Sequence, residues 1–355
     1  MGHNFENRGF PDTSKRKEEH IRICLQEEVN GIGISTGLDS YRFKHNALPE
    51  LSFAEVSLET EWFGKPLRAP FLVSSMTGGT DEAGAINRRL AAAAEERGWA
   101  IALGSMRAAI EKEELAGTFN IRGVAPTAPV IANIGAVQLN YGFGVEECAK
   151  AVDLAEADCL VLHLNAMQEV FQPEGDTDFG SLLGRIEEVC KALSVPVGVK
   201  EVGWGIDGDT AVRLNEAGVA FIDVAGAGGT SWSQVEKFRV SDPLRRTAAE
   251  AFADWGIPTS DSLLEVRDRL PGAKLIASGG LLTGVDAAKA IALGAHLAGF
   301  GRTLLPGAAQ GNLDWSVQQL LLQFERMEFE LKAAMFGIGA GTISDLRGTK
   351  RIIRK

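Results

Sequence analysis

Cysteine and proline are scarce in this chain, long apolar runs are missing, and positive charge is in deficit. The four cysteines (Cys24, Cys148, Cys159, Cys190) among 355 residues show neither zinc-ligand spacing nor a disulfide framework. They read as small buried hydrophobes in a reducing compartment. No run of about 18 uncharged apolar residues occurs, so no spanning helix and no membrane partner are expected. The polar, charged stretch Met1 to Lys17 lacks the apolar core of a signal peptide. Lys and Arg total 36 against 47 Asp and Glu, a formal charge of −11. A duplex-binding footprint needs a basic face, which argues against nucleic acid. A small anion stays possible wherever a few cations converge. These absences describe a cytoplasmic globular protein.

What is abundant is glycine, 41 residues against 12 prolines, about half again the usual share. The glycines sit in pairs and triplets after apolar runs, which reads as repeated strand-to-loop turns. Eight such runs follow one another: Phe71 to Ser75, Ala100 to Leu103, Pro129 to Ile134, Cys159 to Leu164, Pro196 to Val199, Phe221 to Val224, Lys274 to Ala277 and His296 to Phe300. All are apolar on both faces, as doubly buried strands are. Amphipathic segments alternate with them, including Glu82 to Arg97, Glu146 to Glu156, Leu182 to Ser194 and Thr283 to Leu293, the last with Thr283 as N-cap. Length alone admits two modest domains or one large barrel, and eight β/α units decide for an α/β protein with a single (β/α)8 TIM barrel. An open doubly wound sheet would carry an early Gly-rich phosphate loop, whereas the first strand here ends Ser74-Ser75-Met76-Thr77-Gly78-Gly79. The expected organisation is an N-terminal arm over residues 1–65, a barrel over 66–310, and a C-terminal helical tail over 311–355. The basic end, Lys350 to Lys355, reads as a solvated terminus.

In such barrels chemistry collects where the strands run out at the C-terminal face. Polar groups fall there on nearly every strand: Met76-Thr77, Ser105 and Arg107, Asn133, His163 with Asn165, Gln168 and Glu169, Lys200, and Thr230. Lys200 either pairs with a neighbouring carboxylate or faces an anion, a phosphate or a reduced flavin. His163 is either a core histidine or shares a site with Asn165, two residues along the same strand face. Glu169 is a solvated helix glutamate or a ligand for a hard cation such as Mg2+. Ser278-Gly279-Gly280 and Gly301-Arg302, after strands seven and eight, fit a phosphate cradle.

Taken in order, these runs resemble type 2 isopentenyl diphosphate isomerase, as do Val199-Lys200-Glu201-Val202-Gly203, Gly228-Gly229-Thr230-Ser231-Trp232 and, on the arm, Arg16-Lys17-Glu18-Glu19-His20-Ile21 and His45-Asn46-Ala47-Leu48-Pro49-Glu50. The resemblance runs from about Lys15 to Leu305. It implies a cytoplasmic FMN enzyme of isoprenoid biosynthesis, a homo-oligomer of four or more subunits, that interconverts isopentenyl and dimethylallyl diphosphate with Mg2+ and a flavin reduced by NADPH. Residue by residue, it implies that Met76, Thr77, Gly78, Ser105, Asn133, Lys200 and Thr230 contact FMN. Gly279, Gly280, Gly301 and Arg302 would hold the FMN phosphate. Arg16, Lys17, Arg107, His163, Asn165 and Gln168 would hold substrate, with His163 and Gln168 supporting catalysis and Glu169 binding Mg2+. No strong acid stands out among them, so reduced FMN itself is expected to move the proton.

Two other readings share the barrel. An FMN-dependent 2-hydroxy acid oxidase resembles a His base with a nearby Arg after strand six, and Gly226 to Asp268 contains no histidine. A non-catalytic flavin-binding barrel could lose Arg16, Lys17, His163, Gln168 and Glu169. Met1 to Ser14 carries no readable motif.

Overall fold

The structure, a computed structural model, describes residues 13–355. The segment without a motif, Met1 to Ser14, therefore falls almost wholly outside the described residues. Eight parallel strands close into a barrel: Phe71–Val73, Ala100–Ala102, Val130–Gly135, Cys159–His163, Val197–Lys200, Phe221–Asp223, Lys274–Ala277 and Leu297–Phe300. The first pairs with the eighth, Phe71 opposite Ala298, which removes both sheet edges. All eight apolar runs are strands, because residues buried on both faces leave little room for another reading. The helix Gly284–Ala292 starts as expected. The Thr283 hydroxyl accepts from the Asp286 N–H while the Asp286 carboxylate accepts from the Thr283 N–H, a closed capping box.

The barrel is plugged at its N-terminal end by a hairpin, Thr60–Trp62 against Lys65–Leu67. Trp62 and Leu67 pack there with Leu72, Ile131, Cys159, Phe221 and Ile276. Gly198 makes this possible, since a Cβ on it would lie 2.2 Å from the Phe221 ring. With the bottom filled by side chains, only the opposite end is open to a ligand.

Before the hairpin, the helix Thr13–Gln26 lies across the C-terminal mouth and docks on the helix Trp232–Arg239 after strand six. The tail helix Leu313–Ile338 packs outside the barrel, with Phe324 stacked flat on Trp99 at 3.7 Å. The basic terminus differs from expectation. Ile352–Arg354 is a strand paired antiparallel with Tyr41–Phe43. Its two isoleucines are half-buried in that ribbon, which a solvated tail would not achieve. Cys148 and Cys159 are buried as expected, whereas Cys24 and Cys190 are half-buried, and Cys24 faces the mouth. No helix among the described residues is long and apolar enough to cross a membrane.

Candidate functional site

A cavity of about 900 Å³ opens at the C-terminal end of the barrel. Its floor follows from strand register. Gly135 stands opposite His163, His163 opposite Lys200, and Lys200 opposite Asp223, one row across four neighbouring strands. All but one of the residues marked out by sequence line this cavity: Met76, Thr77, Ser105, Arg107, Asn133, His163, Asn165, Gln168, Glu169, Lys200, Thr230, Gly279, Gly280, Gly301 and Arg302 from the strand ends, with Arg16 and Lys17 from the arm. Gly78 does not line it; a Cβ there would lie 2.1 Å from the Phe119 ring, so its role in this structure is to let that ring pack. Gly78→Ala is accordingly expected to cost about 1–3 kcal/mol of stability by overpacking. Chemical denaturation would show it as a lower midpoint with FMN content of the folded fraction unchanged.

Four elements build the polar wall. The His163 ring nitrogen Nδ1 lies 2.8 Å from Asn133 Oδ1. Burial, then the Lys200 and Lys17 charges, push the imidazole down to about 3, so it is neutral at physiological pH. Glu169 is buried with both oxygens engaged: Asn165 Nδ2 donates to Oε1 at 2.6 Å and the Asp176 N–H donates to Oε2 at 2.7 Å. Burial raises its carboxyl above the ordinary range despite those donors. Lys200 is buried and donates to the Glu201 carbonyl. Burial lowers its ammonium, opposed by the Asp223 and Glu201 charges. Asp223 is itself fixed by Ser278 Oγ, donating at 2.7 Å.

The arm completes the wall. Burial, reinforced by Arg16 and Arg107, brings the Lys17 ammonium down to about 8, with Glu169 opposing. Arg16 donates to Gln172 Oε1 at 2.9 Å. Arg107 is held by Glu111 at 2.7 Å and Asp176 at 2.6 Å. Three cations and a buried carboxylate therefore meet at one end of the cavity. Arg302, which lines the same cavity as the glycine turns, donates to Asn30 Oδ1 at 2.7 Å. Gly279 and Gly280 have φ of 100° and 75°, backbone that side chains rarely adopt.

Two observations point to a polar ligand. The buried hydroxyls of Ser74, Ser75 and Thr77 have no hydrogen-bond partner among the described residues, and such groups are seldom left so in a native fold. Gly301 faces open space, with nothing nearer than Ser74 Cβ at 4.0 Å from an added Cβ. Orphan hydroxyls beside a glycine cradle and one arginine fit a phosphate-bearing cofactor such as FMN.

The family of FMN-dependent dehydrogenases matches residues 154–354. An isopentenyl-diphosphate delta-isomerase of Oceanobacillus iheyensis is 56% identical over 96% of each chain, and one of Nostoc sp. is 47% identical over 94% of each. The chain belongs to the type 2 isopentenyl-diphosphate delta-isomerase family. Among solved structures, a flavocytochrome b2 variant with sulfite bound superposes with a TM-score of 0.68 at 17% identity, covering 94% of this chain and 82% of that one. A mandelate oxidase variant does so with a TM-score of 0.64 at 18% identity, covering 97% and 99%. At such identities the likeness is one of fold alone. It agrees with the eight-stranded barrel read from the sequence.

Sequence reasoning missed several residues of this isomerase-family site. His20 lines the cavity three residues beyond Lys17, one helical turn along the same face. That spacing was a usable signal. Ser74 and Ser75 stood in a motif without a role; Gln138, in a single 3-10 turn, and Gln172, at a helix end, line the cavity without any local pattern to mark them, and the loop residue Asp176 stands behind them on Arg107.

Proposed function

We propose that this chain interconverts isopentenyl diphosphate and dimethylallyl diphosphate in the barrel mouth, with FMN in the cavity, NADPH as the flavin's reductant and Mg2+ on the substrate. The observation that carries this is the convergence of Arg16, Lys17 and Arg107 beside the buried carboxylate of Glu169. That set suits a diphosphate and a hard cation together. A mere flavin-binding barrel has no use for it.

Met76, Thr77, Ser105, Asn133, Lys200 and Thr230 would hold the flavin, with Gly78 shaping the turn beside them, and Gly279, Gly280, Gly301 and Arg302 its phosphate. When bound, reduced FMN would supply the group that delivers a proton to the terminal alkene carbon and takes one from the allylic carbon on the other side of the double bond. The chain's own task is placement and charge. Arg16, Lys17, Arg107, His163, Asn165 and Gln168 orient the substrate, and Glu169 holds the Mg2+. Neutral His163 can offer or accept a hydrogen bond but is too weak a base to supply a strong acid at physiological pH. His163 and Gln168 therefore support the proton transfer rather than drive it. Lys200 sets positive charge against the flavin, and buried Asp223, opposite it on the next strand, favours the charged form.

The test is direct. Yellow holoprotein should convert isopentenyl diphosphate only after anaerobic reduction and only with Mg2+; no conversion with both present would favour a non-catalytic barrel. Unchanged turnover with 5-deaza-FMN would overturn the flavin as proton carrier. The oxidase alternative lacks a histidine after strand six, and the cavity histidines present are His20 and His163. The same reading has the protein acting in the cytoplasm as a homo-oligomer of four or more subunits. The exposed Trp315, Leu322 and Phe329 on the tail helix support that association, and light scattering would measure it.

Lys17 provides a pH signature. An ammonium whose affinity for its proton is lowered to about 8 carries charge below that pH and loses it above. The KM for isopentenyl diphosphate should therefore rise above pH 8, approaching about tenfold per pH unit for one required proton, with little change from 6 to 7.5. Lys17→Met should start with a high KM and show no such rise.

A further inference from the structure

One loop residue touches three of the strand ends at once. Asp176 follows Phe171, where the short helix Ala166–Phe171 after strand four ends. Its carboxylate Oδ2 accepts from Arg107 Nη1 at 2.6 Å, after strand two, and from Gln138 Nε2 at 3.2 Å, after strand three. Its backbone N–H donates to Glu169 Oε2 at 2.7 Å. The loop is closely packed at this position. A Cβ on Gly175 would lie 1.9 Å from the Glu169 carbonyl oxygen, so the chain is pressed directly onto the helix that carries Glu169.

The placement has an evident cost. Asp176 stands beside another carboxylate and adds to its proton affinity. Solubility gives no reason to keep an acidic group there, because its oxygen is spent on Arg107 and Gln138. Arg107 is thereby gripped on two sides, Nε by Glu111 and Nη1 by Asp176, while Nη2 has no protein partner among the described residues. A guanidinium held along two edges keeps the third aimed without losing rotamer freedom on binding. Glu169 is fixed likewise by Asn165 and the Asp176 N–H.

We infer that Asp176 is a positioning residue that locks Arg107 and Glu169 into one rigid frame for the diphosphate–cation pair. The inference rests on the function proposed above. Asp176 does not itself line the cavity; it acts through the arginine and the glutamate.

The experiment uses FMN-loaded full-length protein and two readouts. The first is calorimetric binding of inorganic diphosphate with and without Mg2+, which needs no turnover. The second is the KM, kcat and half-saturating Mg2+ for isopentenyl diphosphate. Asp176→Ala should weaken Mg2+-dependent diphosphate binding about 10- to 100-fold. It should raise KM and half-saturating Mg2+ together and leave kcat at saturation within about threefold. The FMN dissociation constant and flavin spectrum should not move. Asp176→Asn keeps an acceptor oxygen and the N–H, so it should recover most of the loss. If Asp176→Ala does not fold, Asp176→Asn and Asp176→Glu carry the test, the latter expected to fail because the longer arm pushes Arg107 away. Unchanged diphosphate binding in the alanine variant, alongside lost binding in Arg107→Ala, overturns the positioning role. So does an equal loss of FMN affinity, which would mark Asp176 as generally structural. Wild-type protein that binds Mg2+–diphosphate but never isomerises would sink the function reading while leaving this clamp to be judged by calorimetry.

Discussion

Glu169→Gln is expected to lower isomerase turnover at limiting Mg2+ by about 10²–10³-fold, the range that follows from removing one partner of a buried charge pair worth roughly 2–5 kcal/mol. The substitution is close to isosteric, and the fold can absorb it. Asn165 donates to Glu169 through Nδ2 while its own Oδ1 is buried without a partner. A half-turn of that Asn165 amide presents its oxygen to the NH2 group that the substitution introduces, and the Asp176 N–H keeps the other position. Stability should therefore hold. It should even gain slightly at neutral pH: a carboxyl raised by burial favours the fold below its unfolded value near 4.3 and opposes it as pH rises through the higher folded value. An activity loss with an unshifted or higher melting temperature separates metal holding from folding. Excess Mg2+ should restore part of the rate in Glu169→Gln, whose amide oxygen remains a weak ligand, and none in Glu169→Ala. In the wild type, half-saturating Mg2+ should climb as pH falls, because protons compete for the same oxygens. A wild-type Mg2+ profile in Glu169→Gln would place the cation elsewhere.

What could be read from the chain alone follows the range of the interactions involved. The strands were legible because residues such as Ile131 and Leu160 are buried on both faces, a local pattern with few alternative readings. Thr283 was legible as a cap because its partner, Asp286, is three residues away. The strand-end site followed once the barrel was accepted, since its closure forces Gly135, His163 and Lys200 into one row. The plug was not legible: Thr60–Trp62 and Lys65–Leu67 are three residues each, half polar, and show their purpose only when Trp62 meets Phe221. The pairing of Tyr41–Phe43 with Ile352–Arg354 joins the two ends of the chain, and a basic tail gives no hint of it. Asp176 looks like any loop acid until Arg107, Gln138 and Glu169 are brought around it. Local periodicity thus located the scaffold and the strand-end groups, and the family resemblance added Arg16 and Lys17 on the arm, while Asp176 orients Arg107 and Gln138 from 69 and 38 residues away.

The arm offers the second large effect. The helix Thr13–Gln26 carries Arg16 and Lys17 and is fastened to the barrel by a small apolar cluster, Ile23 with Val235, and by a polar network centred on Glu236, whose side chain is wholly buried. Glu236 Oε1 accepts from His20 Nε2 at 2.9 Å and Oε2 accepts from Arg239 Nη1 at 2.7 Å, while Arg239 also holds Glu19 at 3.1 Å. The His20 ring meets Trp232 edge-on at 5.0 Å. Removing one partner of such a buried network leaves uncompensated polar groups and costs about 3–5 kcal/mol. Glu236→Ala should therefore undock the arm and raise KM for isopentenyl diphosphate by about 10²–10³-fold, with the flavin spectrum retained because the barrel glycines are untouched. Cys24 reports the undocking independently. It sits on the same helix, half-buried at the cavity, with its thiol pushed up to about 11 by burial, so a thiol reagent should label it slowly in the wild type and quickly in the variant. Acid should imitate the mutation. Burial holds His20 below its ordinary value despite the Glu236 contact. Burial alone would raise the Glu236 carboxyl, yet the His20 and Arg239 contacts hold it below the usual carboxylate range. In both cases the undocked state binds the extra proton, so docking is intact above about 6.5 and is lost progressively as pH falls through that value toward 4. Cys24 labelling that stays slow in Glu236→Ala would show that the arm is held by its apolar contacts instead.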